Sequence, residues 1–393
     1  MLSSGLDVQV CDARDDDSST GDDKKIKDMN WYEIQNVDEI DSPALILYKE
    51  RVQQNIAAAI EMIKDVRRLR PHVKTNKIAE VCKMMLAAGI TKFKCATIAE
   101  AEMLGMIQAR EVLLAYQPVG PKAKRLLSLV QQYPGTSFSC VVDNYSAAKN
   151  LSDVFTSAGK IIPVFIDLNT GMNRSGIQPS KALELFNQLQ TLAGLTVVGL
   201  HGYDGHVTAP DLHQREEASD NAFKQVESLI AEIEKISNRP LTIVAGGSPT
   251  FPVHVKRNIE CSPGTFVFWD WNYKKNYPDQ PFEYAALVLT RIISIVDATT
   301  ITTDLGHKSV AAENPQPRVY FLNAADVVPV GQSEEHLVLK VPDSSVYNVG
   351  DVLYGVPIHI CPTVALYDKA FVVENNKATS TWKVIARDRS IMI

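Results

Sequence analysis

The sequence predicts an α/β protein: a (β/α)8 TIM-type barrel followed by a C-terminal antiparallel β domain. Three observations predict it. Short apolar runs alternate with amphipathic stretches from residue 42 onward, through about eight units, and that count favours a closed barrel over an open sheet. The apolar runs are continuous rather than alternating, as strands buried on both faces require. After Tyr284 the helical stretches stop and strand-length runs follow one another, the rhythm of an antiparallel sheet.

Taken in order, residues 1–28 form a polar, Asp-rich segment that cannot bury enough apolar surface to order itself; it is expected to be a disordered acidic tail. Folded sequence begins near Trp31, and residues 29–41 are assigned to the β domain. The barrel is assigned to residues 42–284. Its expected strands are 44–48, 69–73, 93–95, 112–115, 138–142, 161–168, 196–200 and 242–245. The helices expected between them are 52–63, 78–88, 98–106, 122–131, 145–157, 182–192 and 218–236. The β domain is assigned to residues 285–393, with strands at 286–296, 299–303, 319–322, 336–340, 352–356 and 370–373 and no helix between them.

Length and charge exclude several function classes. At 393 residues the chain exceeds one ordinary domain, so two are expected. A net charge of -6 argues against a nucleic-acid footprint. No apolar run is long enough to span a membrane, and the acidic start carries no secretory signal. The cysteines at 11, 82, 95, 140, 261 and 361 show no CxxC spacing, which reads as reduced thiols in a cytoplasm.

Six polar motifs fall at strand ends, where a barrel keeps its active site. Arg70-Pro71-His72-Val73-Lys74 closes an early strand, and partial burial of Lys74 at the barrel mouth would lower its pKa as Schiff-base chemistry requires. Read alone, it is a surface lysine at a loop. The segment Asp167 to Gly176 places Arg174 where it can hold an anionic oxygen, or else is a solvated glycine-rich turn. His201-Gly202-Tyr203-Asp204-Gly205-His206 offers phenol, carboxylate and imidazole. Gly246-Gly247-Ser248-Pro249-Thr250 and Ser262-Pro263-Gly264-Thr265 follow late strands, where small residues let N–H groups approach a phosphate. His359-Ile360-Cys361-Pro362-Thr363, on a strand or extended turn, can place imidazole and thiolate on one ion, or be a buried cysteine beside a satisfied histidine.

Together and in this order, these motifs resemble the pyridoxal-phosphate (PLP) enzymes of the alanine racemase-like fold (fold type III). More closely, they resemble its D-threonine aldolase and D-serine dehydratase branch, over residues 40–393. The resemblance implies that Lys74 carries PLP and that Arg174 lies near the phenolic oxygen of its ring. It implies that Tyr203, Gly247, Ser248, Thr250, Gly264 and Thr265 form the cofactor and phosphate site, and that His359 and Cys361 bind a divalent metal (zinc, manganese or magnesium). His206 is a metal-site or substrate histidine and a catalytic base by the same reading, although its spacing from Tyr203 departs from that of well-known aldolases. The resemblance further implies a homodimer acting on a small D-amino-acid substrate.

The reaction expected is cleavage of a D-β-hydroxy amino acid to glycine and an aldehyde. Cys361 stands where the best-known D-threonine aldolases carry aspartate and looks more like the dehydratases of D-serine and D-3-hydroxyaspartate, so dehydration to a keto acid and ammonia is the alternative. A racemase leaves His359 and Cys361 without a role. A non-catalytic PLP carrier leaves the whole β domain without one.

Overall fold

In the computed structural model residues 29–393 are described, and the expected acidic tail at 1–28 lies outside them. β1 (Ala44–Tyr48) precedes seven parallel strands in simple order. These are β2 (Lys92–Cys95), β3 (Glu111–Leu114), β4 (Ser137–Val142), β5 (Ile162–Leu168), β6 (Leu195–Gly202), β7 (Thr242–Ala245) and β8 (Glu260–Cys261). The curled sheet is completed by the segment around Leu69 to Val73. Arg70 N donates to Cys261 O on one side and Val73 N to Lys94 O on the other. The expected strand at 69–73 thus sits between the two edges, but makes too few ladder bonds to be a regular strand.

The helices form where caps and apolar spacing favour them. Asn144 accepts from Ser146 N and Ala147 N at the head of the helix Tyr145–Ser157, and Thr97 accepts from Glu100 N at the head of Ile98–Met106. Pro121 opens Pro121–Gln132, whose Ala123, Leu126 and Leu129 face the core.

Along the strands burial splits by parity. Val112 and Leu114 pack under the helices, whereas Leu113 joins Val141, Phe165 and Val244 in a separate cluster inside the barrel. Toward the N-terminal ends of the strands Arg70, almost fully buried, bonds Glu260 at 2.6 Å and Glu111 at 3.0 Å, and Lys92 also pairs with Glu260. This ionic plug closes the bottom and leaves the other mouth for chemistry. Replacing Glu260 with Ala would leave the buried guanidinium with Glu111 alone and Lys92 without its partner, and a loss of about 3 kcal/mol in urea unfolding is expected.

The second sheet holds β9 (Ala286–Asp297), β10 (Thr300–Thr303), β11 (Val319–Phe321), β12 (Val328–Gln332), β13 (Leu337–Lys340), β14 (Val352–Pro357), β15 (Lys369–Glu374) and β16 (Lys377–Lys383). Two corrections arise here. β1 is not a barrel strand: it lies between β9, antiparallel, and β15, parallel, so the β domain captures it. A short helix, Ile360–Val364, interrupts the strands, because His359 starts a turn rather than extending one. β12 and β16 were not expected. β16 is largely exposed and polar, so it lacks the apolar run that announces a buried strand, and Pro329 breaks the strand signal of β12. Residues Ile34 and Ile40 pack with Leu287, Leu289 and Val356, placing 29–41 on this domain. Asp304 accepts from Ser42 Oγ, Thr290 Oγ1 and Arg291 N and so braces the β domain. Among the described residues no helix is long and apolar enough to cross a membrane, and Cys82, Cys95, Cys140, Cys261 and Cys361 are free.

Candidate active site

A cleft of about 520 Å3 opens at the C-terminal mouth of the barrel. Lys74, Arg174, Tyr203, Gly247, Ser248, Gly264 and Thr265 all line it. Sequence positions separated by up to 191 residues therefore converge because each ends a strand or follows one.

Lys74 is exposed to the cleft rather than partly buried, because it lies beyond the bonded end of its segment. The buried lysine of the site is Lys94. It alternates on β2 with Phe93 and Cys95, which face the helices, so its amine points inward. Its Nζ lies 3.4 Å from His201 Nε2, and His201 Nδ1 lies 2.7 Å from Asp167 Oδ1. Burial, then the charge of Lys74, lowers the Lys94 pKa to about 7 against the pull of Asp167 and Asp204. Burial also lowers His201 despite its bond to Asp167, and holds His72 well below the usual imidazole range with help from Lys94 and Lys74. The site therefore keeps two neutral imidazoles beside its lysines. Lys94, Asp167 and His201 were missed individually, although a polar residue between buried apolar neighbours on a barrel strand marks an inward position.

The sign of the Lys94 effect can be tested. The unfolded chain holds this proton up to about pH 10.4 and the folded chain only up to about 7, so stability rises with pH through that window. Lys94→Met should abolish this rise. The difference in unfolding free energy between the two cofactor-free proteins should shrink by a few kcal/mol, to order of magnitude, from pH 7 to pH 10. Parallel pH profiles would contradict it.

The anion cradle is built from two loops. Gly264 N and Thr265 N converge on Ser248 Oγ at 3.2 and 3.1 Å, so two N–H groups already meet on one oxygen. Ser262 Oγ, buried in the lining, has no hydrogen-bond partner among the described residues. A phosphate would satisfy it. A Cβ on Gly264 would come 2.8 Å from His72 O, so the loop lies against backbone that cannot yield. Gly264→Ala is expected to cost about 1–3 kcal/mol and to weaken PLP binding, read by fluorescence titration. Arg174 has no ion pair among the described residues and stands 4.8 Å from the Tyr203 ring, open to an anionic oxygen.

Thr250 and His206 lie elsewhere. Thr250 is buried behind the cradle, where its hydroxyl donates to Asp204 Oδ1 at 2.8 Å. His254, which sequence reading passed over, bonds the other carboxylate oxygen at 2.8 Å. Both therefore hold the Gly246–Thr250 turn from below. His206 is exposed and rests on Gly171, where an added Cβ would meet its ring at 2.6 Å. It does not line the cleft.

His359 and Cys361 approach from the β domain. Cys361 Sγ lies 3.1 Å from Thr75 Oγ1 and 3.6 Å from Thr265 Oγ1, which brings the sulfur to the rim of the same cleft. Asp270 ties the domains by accepting from Tyr273 N and Ile360 N, and the Tyr273 phenol lines the cleft beside Thr265. Burial pushes the Cys361 thiol up. The His359 hydrogen bond and charge, with Lys74 and Thr75, outweigh it and leave the pKa below the ordinary thiol range. Among the described residues no third His, Cys, Asp or Glu joins the pair as a ligand cluster. One nitrogen and one readily ionised sulfur fit a borderline ion such as zinc, with positions left for water and substrate.

The family model described as the alanine racemase N-terminal domain matches residues 48–270, and that of a serine dehydratase domain matches residues 285–373. The chain is 27% identical to a D-threonine aldolase of Arthrobacter sp over 88% of its own length and 93% of the relative's. It is 27% identical to a 3-hydroxy-D-aspartate aldolase of Paracoccus denitrificans over 89% and 93%, and 24% identical to a D-threo-3-hydroxyaspartate dehydratase of Delftia sp. over 88% and 97%. The crystal structure of D-threonine aldolase from Filomicrobium marinum superimposes with a TM-score of 0.81 at 26% identity, covering 89% of this chain and 96% of that one. With more than half its length matched by one family model, the chain belongs to the alanine racemase N-terminal domain family, in the arrangement that carries a serine dehydratase-type second domain.

Proposed function

We propose that this protein is a PLP-dependent lyase, assisted by a divalent metal, that cleaves a D-β-hydroxy amino acid to glycine and an aldehyde. One observation carries the reading: the free amine of Lys74 faces a cleft that joins an anion cradle to the low-pKa Cys361 beside His359. Similarity to two aldolases over most of the chain supports the aldol direction.

Lys74 is the covalent anchor for the cofactor. Ser248, Ser262 and the N–H groups of Gly264 and Thr265 would hold its phosphate, and Arg174 its ring oxygen. Bound PLP supplies an electron sink for the pair left on Cα when a bond to that carbon breaks. His359 and Cys361 would hold the metal, which would supply Lewis acidity at the β-hydroxyl. With the substrate in place the Lys74 amine stands free at the cleft and can return a proton to Cα. The same amine would take that proton in the dehydratase alternative, which the thiol ligand Cys361 favours. The reading extends to a homodimer in the cytoplasm.

The test is incubation with PLP and zinc or manganese, with D-threonine and separately with D-serine. Glycine and acetaldehyde from D-threonine support cleavage. Pyruvate and ammonia from D-serine without glycine would replace it by dehydration.

A further inference from the structure

Glu313 belongs to no motif, yet it makes the shortest contact to the His359–Cys361 pair. Its Oε1 lies 2.5 Å from His359 Nδ1. A carboxylate oxygen in this bond can only accept, so Nδ1 carries the proton. A neutral imidazole protonated there presents its lone pair at Nε2, the atom left to meet an ion. Both side chains are partly exposed, but the loop bearing Glu313 is fastened to the His359 turn at a second, buried point: Ala311 N donates to Thr363 Oγ1 at 3.1 Å, and that hydroxyl donates to His359 O at 2.8 Å. Thr363 thus holds both the carboxylate's segment and the histidine's backbone.

We propose that Glu313 is a positioning residue that fixes the tautomer and ring orientation of His359 for metal binding. The proposal rests on His359 and Cys361 as the metal pair. Carboxylates behind metal-binding histidines act this way generally, and their loss weakens metal affinity by about 10–100-fold.

The experiment uses the full-length protein stripped with chelator. Zinc affinity is measured by competition with a chromophoric chelator for the wild type, Glu313→Gln, Glu313→Ala and His359→Ala. Glu313→Ala should bind zinc about 10–100-fold more weakly, and Glu313→Gln, which can still accept from Nδ1, should recover part of the loss. Melting in chelator should match the wild type, which separates the effect from misfolding. Cobalt(II) should still show thiolate charge transfer in Glu313→Ala, with an unchanged ligand-field pattern. Affinity within twofold of the wild type in Glu313→Ala, with loss in His359→Ala, would overturn the positioning role while leaving the metal pair intact. A changed ligand-field pattern would overturn it in favour of direct ligation. Absence of zinc binding by the wild type, or equal binding by His359→Ala, would remove the metal pair itself and the proposal with it.

Discussion

Lys74→Ala is expected to lower turnover of any substrate by at least about 10^3-fold and to release the cofactor on dialysis. The fold should survive. Lys74 is exposed, makes no ion pair among the described residues, and contributes only its backbone N–H to His72 Nδ1 at 3.3 Å. An exposed side chain of this kind changes stability by about 0.5 kcal/mol or less. The measurement is paired: urea unfolding of the cofactor-free proteins should superimpose, while the absorbance of protein-bound PLP should vanish after dialysis. Cofactor retention with activity intact would move the covalent role to Lys94, the other lysine of the cleft.

The second large effect is structural. Asp204 is buried and holds Thr250 Oγ1 and His254 Nε2 at 2.8 Å each, with Ser219 Oγ at 3.5 Å. Removing it leaves a hydroxyl and an imidazole facing a cavity, and the imidazole still bonded to Arg257. Asp204→Ala should therefore destabilise by about 3–5 kcal/mol. The turn above would keep the Gly246 N bond to Gly202 O of β6 but lose its side-chain tether, and PLP affinity should fall about tenfold for each 1.4 kcal/mol of lost alignment. Burial raises this carboxyl's pKa, but the His254 and Thr250 bonds outweigh it, so the net is a depression. A depressed carboxyl contributes stability above its unfolded pKa, near 3.9, and loses it as pH falls through the folded value. The stability gap between wild type and Asp204→Ala should accordingly be widest near neutrality and narrow under acid. A gap independent of pH would show that Asp204 acts by shape alone.

Much of this architecture was legible because burial leaves a period. The helices Ile98–Met106 and Tyr145–Ser157 coincide with their expected bounds, since caps and apolar spacing agree there. Most of the residues that line the cleft were legible as motifs at strand ends, but Lys94 and Tyr273, which also line it, belong to none of those motifs. Sheet membership was not: five consecutive buried residues at Ala44–Tyr48 announce a strand covered on both faces, and any sheet can cover it. Roles created by contact were equally silent. His254 meets Asp204 across 50 positions and Glu313 meets His359 across 46, and neither pair shares a local pattern. His206 shows the converse: a histidine in a persuasive motif whose ring lies on Gly171, outside the cleft.

The placement of β1 also bears on how the chain comes into being. Its register joins Ile46 to Leu287 on one side and to Phe371 on the other. One of the first ordered segments to be synthesised thus waits for almost the last. At ~5–20 residues per second the ribosome takes roughly 15–65 s to supply that partner. Throughout this interval a wholly apolar strand has an unpaired edge, while the intervening barrel is free to form. Birth of this protein is therefore a race between completion and capture of that strand by other chains, and a folding helper acting on the nascent polypeptide should find its binding site at residues 44–48.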